Sequence, residues 1–146
     1  MGCSKQAHVT RYERLVMQHI AEFFRTRIVS FRNAFAGFWY VVRTQKNAWI
    51  HLLATILVIL LSFWLWIEPV QWALIFICIG LVWFAEFINT ALEAVVDLAS
   101  PQKHPLAKVG KDVGAAAVLI AAIASTVIGV LVLGPPLLEK IGKLLH

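Results

Sequence analysis

Residues 70–97 read VQWALIFICIGLVWFAEFINTALEAVVD, an apolar stretch whose last twelve residues hold three carboxylates and a carboxamide. Charged groups in lipid are costly, so they normally mark functional sites. At about 100° per residue, four of these side chains fall within an arc of roughly 80° on a helix. We call this arc the acidic face, and its members are Glu86, Asn89, Glu93 and Asp97. The stretch therefore predicts a membrane-spanning helix with an acidic face at one end.

The composition of the whole chain supports a membrane protein. Hydrophobic residues make up 60% of the chain and charged residues 14%, which is more apolar surface than a soluble core of this size could bury. Two further charge-free runs, 49–67 and 113–133, are each long enough to cross a bilayer. We therefore predict an all-α integral membrane protein with three spans, at about 49–67, 70–97 and 113–133. We expect residues 1–146 to form a single membrane domain.

The N-terminal region and the basic residues predict the topology. Residues 11–43 alternate apolar and basic side chains with a loosely helical period, which predicts an N-terminal amphipathic helix at the membrane interface. Eight Lys and Arg residues precede the first span, three lie in the loop at 98–112, and two follow the third span. By the positive-inside rule we expect the N-terminus and this loop in the cytoplasm. The net charge of +5 then reflects contact with anionic headgroups, and no nucleic-acid partner is expected.

The acidic face extends from lipid depth to water. Glu86 lies sixteen residues after Val70, or about 24 Å along the helix axis, near the inner margin of a hydrocarbon core about 30 Å thick. Glu93 and Asp97 then project at or beyond the cytoplasmic headgroups. At the other end of this span, a tight turn at 68–71 carries no basic residue and is expected on the outer side. This geometry suits a reaction between a lipid headgroup and a soluble substrate.

The residue types on the acidic face indicate phosphoryl transfer. Glu86 is suited to accept a proton from a hydroxyl group. Glu93, with Asn89 and Asp97 beside it, offers the oxygen ligands that Mg²⁺ prefers when phosphate oxygens and water complete its coordination.

The loop after the second span adds cations that suit phosphate groups. His104, Lys108 and Lys111 can each contact a phosphate, and Asp112 is expected either to contact a second metal ion or to orient Lys111. No standard nucleotide motif accompanies them, because Gly110 and Lys111 lack the upstream glycine of a P-loop.

On the residues alone, other classes of protein stay open. Intramembrane acids also serve as ion sites, so a small proton- or cation-coupled membrane carrier is the alternative to a kinase. Three spans without an internal repeat or a broken helix weaken that alternative. A regulatory membrane subunit would leave Glu86 without a role.

The twelve residues of EFINTALEAVVD, from Glu86 to Asp97, resemble the signature of the prokaryotic diacylglycerol kinase family, which consists of small three-helix membrane enzymes. The resemblance continues through HPLAKVGKDVGAAAVLIAAI at 104–123, and upstream through SFRNAFAGF and RTQKNAWIH at 30–51. It covers about residues 30–133, whereas residues 1–25 match poorly.

The resemblance implies transfer of the γ-phosphoryl group of MgATP to the hydroxyl of a membrane lipid. It makes Glu86 the general base and Glu93 a magnesium ligand. It also implies a homotrimer in the bacterial plasma membrane, with active sites shared between subunits and the N-terminal helix taking part. The nucleotide site that it implies consists of Asn33, Asn89, Asp97, Gln102, Lys103, His104, Lys111 and Asp112.

One position departs from the pattern of the family. Where a second metal-binding glutamate is common, this chain has Gln45, whose amide oxygen binds Mg²⁺ more weakly than a carboxylate does. We therefore expect one of three consequences: one metal ion is sufficient for the reaction, another acidic residue replaces the missing glutamate, or the activity is low.

Family members phosphorylate either diacylglycerol or a long isoprenoid alcohol such as undecaprenol. The HPLAK run at 104–108 and the TQKNAWIH segment at 44–51 resemble the undecaprenol kinase branch, so we favour undecaprenol as substrate.

Overall fold

The computed structural model describes residues 3–102 and 104–145, with side chains described for residues 17–19 and from residue 22 onward. The described chain is all helical, as predicted, and its helices are α1 (Cys3–Thr44), α2 (Lys46–Leu65), α3 (Pro69–Ala99) and α4 (Pro105–Leu145). The chain divides into two compact units, Met1–Tyr40 and Val41–His146. The first unit consists of α1 up to Tyr40. That α1 is amphipathic and lies along the membrane interface stays a prediction.

The second unit contains the three helices that are long and apolar enough to cross a membrane, which are α2, α3 and α4. This confirms the prediction of three spans. Most of their large apolar side chains are exposed, among them Phe76, Leu119 and Val130. Such exposure is expected when the surroundings are lipid, since apolar side chains then need no burial within the protein.

A cluster of buried apolar side chains lies at the end where α2 turns into α3. Leu65, Ile67, Ile75 and Leu133 form one cluster there, and Trp72 packs against it. The contact between α3 and α4 is more extensive than the contact of either helix with α2. The acidic face therefore lies on a helix that is held mainly by α4.

The turn between α2 and α3 differs from the prediction. The sequence placed it at 68–71, whereas α2 ends at Leu65 and α3 begins at Pro69, so the turn consists of residues 66–68. A capping box explains the early start of α3: the Glu68 backbone N–H donates to Gln71 Oε1 over 2.9 Å, and Pro69 occupies the first helical turn. Trp66 ends α2 in the left-handed region, with φ of 55°.

The helix α4 is longer than the predicted third span of 113–133. It begins at Pro105 and continues through Pro135 and Pro136 to Leu145. The sequence prediction followed the charge-free run, which stops before the prolines, and proline usually ends or bends a helix. Lys140, beyond the prolines, donates to the Trp64 carbonyl, and its Nζ lies 4.5 Å from the centre of the Trp64 ring. This contact joins the last part of α4 to the end of α2.

Candidate active site

The side chains of the acidic face become more exposed along α3, from Glu86 to Asp97. Glu86 is 1% exposed and Asn89 is 6% exposed, whereas Glu93 is half-buried and Asp97 is exposed. Because the four residues recur at helical spacing, they share one face while their surroundings change from buried to open. The exposure of the four side chains thus increases along α3, and their depth in a bilayer stays a prediction.

Glu86 faces a histidine that the sequence analysis did not assign to the site. His51, on α2, has its Nε2 atom 3.7 Å from Oε2 of Glu86. Both atoms are buried, and neither has a hydrogen-bond partner within the described residues. Buried polar atoms are normally paired, so two unpaired atoms facing each other form an incomplete polar site.

Glu93 lies between two carboxamides. Gln45, the residue that caps the start of α2, donates from Nε2 to Glu93 Oε2 over 3.1 Å, and Asn89 Nδ2 donates to Glu93 Oε1 over 3.4 Å. The structure thus brings together the two residues predicted as metal ligands, although they are 48 positions apart in the sequence.

A glycine on α4 allows the close approach that buries Asn89. A Cβ atom added to Gly114 would lie 2.3 Å from Asn89 Oδ1, which is closer than real Cβ contacts allow, and 3.2 Å from Leu92 Cδ2, which is a tight contact. Asn89 Oδ1 is buried and has no hydrogen-bond partner among the described side chains and backbone. Gly114 therefore positions α4 against the acidic face.

The ion pairs of the loop region contradict one expectation. Lys111 Nζ lies 2.7 Å from Asp97 Oδ1 and 2.9 Å from Asp97 Oδ2, so it joins α4 to the acidic face. Asp112 does not orient Lys111; it pairs with Lys108 over 2.6 Å, one helical turn earlier on α4. The physical reason is helical spacing, because residues four apart share a face whereas neighbours point in different directions.

Several of the predicted nucleotide residues surround one cavity of about 680 Å³ between α3, α4 and their connecting loop. Its lining includes Asp97, Gln102, His104, Lys111 and Asp112. Lys103, also predicted for this site, lies outside the described residues. Asn33 is exposed on α1 in the first unit, and its place in the site stays a prediction.

The Glu93 carboxylate fits a magnesium ion that is bound together with a nucleotide. In the part of the chain that the structure describes, no three His, Cys, Asp or Glu side chains are grouped as metal ligands. Mg²⁺ needs fewer, since it commonly takes one or two carboxylates and completes its shell with phosphate oxygens and water. The Glu93 carboxylate meets that requirement. Gln45 and Asn89 direct their amide nitrogens to Glu93, so their oxygen atoms would reach the same ion only after the amide groups rotate.

Comparison with known proteins decides the family. Residues 32–133 match the family described as prokaryotic diacylglycerol kinase, which is more than half of the chain. The chain belongs to the prokaryotic diacylglycerol kinase family. It is therefore a lipid kinase, and with its three apolar helices it is a multi-pass membrane protein. The resemblance drawn from the sequence is confirmed, and the carrier alternative is not favoured.

Relatives of this kinase bear two different names. It is 39% identical to the undecaprenol kinase of Bacillus subtilis over 108 residues, which cover 74% of this chain and 88% of the relative. It is 46% identical to the diacylglycerol kinase of Synechocystis over 113 residues, which cover 77% of this chain and 65% of the relative. It is also 36% identical to the diacylglycerol kinase of Escherichia coli over 74 residues, or 51% of this chain and 61% of the relative.

Two residues of the candidate site were missed by sequence reasoning. His51 is a polar residue within an apolar run, a signal that could have been noticed, but its partner on α3 depends on how the helices pack. Gly114 gives no signal in a single sequence, because glycine is frequent in membrane-spanning helices.

Proposed function

We propose that the protein transfers the γ-phosphoryl group of MgATP to the hydroxyl of a membrane lipid. Membership of a lipid kinase family supports a nucleotide substrate. The observation that carries the proposal is the buried, unpaired Oε2 of Glu86 at one end of an acidic face whose other end opens to a cavity lined by Asp97 and Lys111. One end suits a lipid hydroxyl and the other suits a soluble nucleotide.

In this proposal Glu86 acts as the general base. The lipid hydroxyl oxygen forms a bond to the γ-phosphorus, and the bond from that phosphorus to the bridging oxygen of ADP breaks. The hydroxyl proton passes to the Glu86 carboxylate, and ADP leaves. The spacing along α3 supports separate lipid and nucleotide ends of the site. At 1.5 Å per residue, Glu93 lies about 10 Å and Asp97 about 16 Å from Glu86.

Glu93 would hold Mg²⁺ together with the phosphate oxygens, and Asn89 and Gln45 would add their amide oxygens once these groups have rotated. Bound there, the ion would neutralise charge on the phosphoryl group during transfer. Lys111, held by Asp97, and His104 would contact the phosphates from the loop side, with Gln102, Lys103 and Asp112 around the nucleotide. Asn33 would contribute from α1.

The acceptor that we favour is undecaprenol. The HPLAK and TQKNAWIH segments resemble that branch, and the relative named undecaprenol kinase is matched over 88% of its length. Diacylglycerol is the second candidate, because relatives with that name reach 46% identity. Both lipids carry a primary hydroxyl.

A labelling assay on the purified protein in detergent tests the proposed function and the proposed lipid acceptor together. The protein is supplied with γ-labelled ATP, Mg²⁺ and either undecaprenol or diacylglycerol, and lipid-bound label is measured. We expect labelling of undecaprenol at the higher rate, and labelling of neither lipid would contradict the proposed function. Glu93→Gln should lower the rate and raise the Mg²⁺ concentration needed, whereas the exposed Glu139→Gln on α4 should not.

We further propose a homotrimer in the bacterial plasma membrane whose active sites are shared between subunits, as the family resemblance implies. Large apolar side chains on the side of α3 opposite the acidic face, such as Phe84 and Ile88, are exposed in a single chain, and a neighbouring subunit would cover them. Mixed trimers test this: co-expressed Asn33→Ala and Glu86→Gln chains should regain activity that each lacks alone. No regain would contradict sharing between α1 and α3 of different subunits.

A further inference from the structure

The two unpaired atoms beside Glu86 have hydrogen-bonding capacities that match an alcohol. The Oε2 atom of ionised Glu86 can only accept a hydrogen bond, and Nε2 of His51 can donate one when it carries the imidazole proton. A hydroxyl group donates one hydrogen bond and accepts others. With the two atoms 3.7 Å apart, an oxygen about 2.8 Å from each would complete both bonds.

A second cavity begins at this histidine and runs into the apolar region. Its volume is about 440 Å³, and its lining extends along α2 from His51 to Leu61 and along α4 from Ala122 to Leu137. Fifteen residues of α4 correspond to about 22 Å of length. The cavity is therefore elongated along the helices, with His51 at one end.

The walls of this second cavity offer little to a polar ligand beyond His51. Its hydroxyl groups are already used within the protein: Thr55 donates to the His51 carbonyl, Ser125 to the Cys78 carbonyl and Thr126 to the Ala122 carbonyl. The remaining lining is made of glycine and apolar side chains such as Val58 and Ile79. A matching occupant is apolar along its length and carries a hydrogen-bonding group at one end.

We propose that His51 is a substrate-binding residue: its Nε2–H donates to the oxygen of the lipid alcohol, the hydroxyl proton points to Glu86, and the hydrocarbon chain lies in this cavity. This inference rests on the proposed function and adds to it the orientation of the acceptor. The occupant is a primary alcohol with a long hydrocarbon chain, a chemistry common to undecaprenol and diacylglycerol.

The role of His51 is tested by kinetics of His51 variants with the lipid that the wild type phosphorylates. KM and kcat are measured separately for the lipid and for ATP. His51→Leu should lower kcat/KM for the lipid by about tenfold or more, which corresponds to one lost hydrogen bond, while KM for ATP stays unchanged. His51→Gln, which keeps a donor, should recover part of the loss. Equal losses in both variants, or an equal change in KM for ATP, would overturn the assignment.

The cavity is tested by a matched pair of glycine substitutions. A Cβ at Gly129 or at Gly80 would meet nothing within 4 Å, but Gly129 lines the cavity and Gly80 does not. Both glycines lie inside helices, so leucine changes helix propensity alike at the two positions. Gly129→Leu should raise KM for the lipid by about tenfold, and Gly80→Leu should leave it unchanged. The same result for both variants would overturn the cavity assignment.

A photoreactive long-chain primary alcohol gives a readout that does not depend on turnover. Cross-links should concentrate in the segments 51–61 and 122–137, and Gly129→Leu should reduce them. Cross-links spread evenly over the exposed apolar faces, including Phe76 and Leu119, would overturn the inference. If the wild type phosphorylates neither lipid, the proposed function fails and this inference with it. An active wild type with unchanged His51→Leu and Gly129→Leu variants would overturn this inference alone.

Discussion

At the scale of single residues, the site depends on a few side chains whose partners lie on other helices. Glu93 receives a hydrogen bond from Gln45 at the start of α2, Glu86 faces His51 of α2, and Asp97 pairs with Lys111 of α4. In each case a carboxylate of α3 meets a polar group from a different position along the chain. The chemistry of the site therefore depends on the packing of α2 and α4 against α3.

Restoring a carboxylate beside Glu93 should change the metal requirement. In Gln45→Glu the new side chain replaces an amide 3.1 Å from Glu93, so two carboxylates would share one region. The Mg²⁺ concentration for half-maximal activity should fall by on the order of tenfold, or about 1.4 kcal/mol, because repulsion between the two carboxylates offsets part of their added attraction for the divalent ion. Kinase activity is titrated with Mg²⁺.

Asn47→Glu is the control for that substitution, because Asn47 is exposed on the first turn of α2 and gains the same charge. Its Mg²⁺ requirement should match that of the wild type. An unchanged requirement in Gln45→Glu would show that Gln45 is not close to the metal ion.

Gly114 should tolerate no side chain. The added methyl group of Gly114→Ala would lie 2.3 Å from Asn89 Oδ1, so α4 or Asn89 has to move. Overpacking of this kind costs about 1–3 kcal/mol, and we expect lower thermal stability in detergent together with at least tenfold lower activity. Gly110→Ala, where the nearest atom is Val96 Cγ2 at 3.7 Å, should behave like the wild type. Equal behaviour of the two variants would contradict the close approach.

At the scale of elements, the sequence predicted the helices well and their ends less well. The spacing of the four polar residues was sufficient to predict that they share one face of α3, because every α-helix has about 3.6 residues per turn. The start of α3 depends on the capping box of Glu68 and Gln71, a local signal that was overlooked. The continuation of α4 through Pro135 and Pro136 has no local signal.

The contacts between elements could not be predicted from a single sequence. The pairs Gln45–Glu93 and His51–Glu86 depend on the register between α2 and α3, and several registers are compatible with the same apolar pattern. The pairing of Asp112 with Lys108 in place of Lys111 follows from helical spacing, once the start of α4 at Pro105 is known.

The end of α2 allows a test of backbone strain. Trp66 has φ of 55° and is 86% exposed, so its ring makes little contact while its backbone adopts a region that favours glycine. Trp66→Gly and Trp66→Ala both remove the ring, but only glycine adopts this conformation without a steric cost. The glycine variant should be more stable than the alanine variant by about 1 kcal/mol, measured by thermal unfolding in detergent. An alanine variant of equal or higher stability would contradict the strain.

At the scale of the whole molecule, three apolar helices and family membership make a membrane kinase whose orientation is still a prediction. Cysteine labelling in intact cells tests it, with Cys3 and Cys78 replaced by alanine. Because the loop at 98–112 is predicted to be cytoplasmic, His104→Cys should be labelled by a membrane-impermeant reagent only after cells are opened. Glu68→Cys, in the turn between α2 and α3, should be labelled in intact cells, and the reverse pattern would contradict the topology.

The measurement that tests the central claim most directly is the rate of label transfer from γ-labelled MgATP to a lipid hydroxyl in wild type and Glu86→Gln. Glutamine keeps the size of the side chain but does not accept the hydroxyl proton, so the rate should fall by about 10²–10⁴-fold. Glu139→Gln, the same substitution at an exposed position of α4, should keep the wild-type rate. A Glu86→Gln variant as active as the wild type would contradict the account.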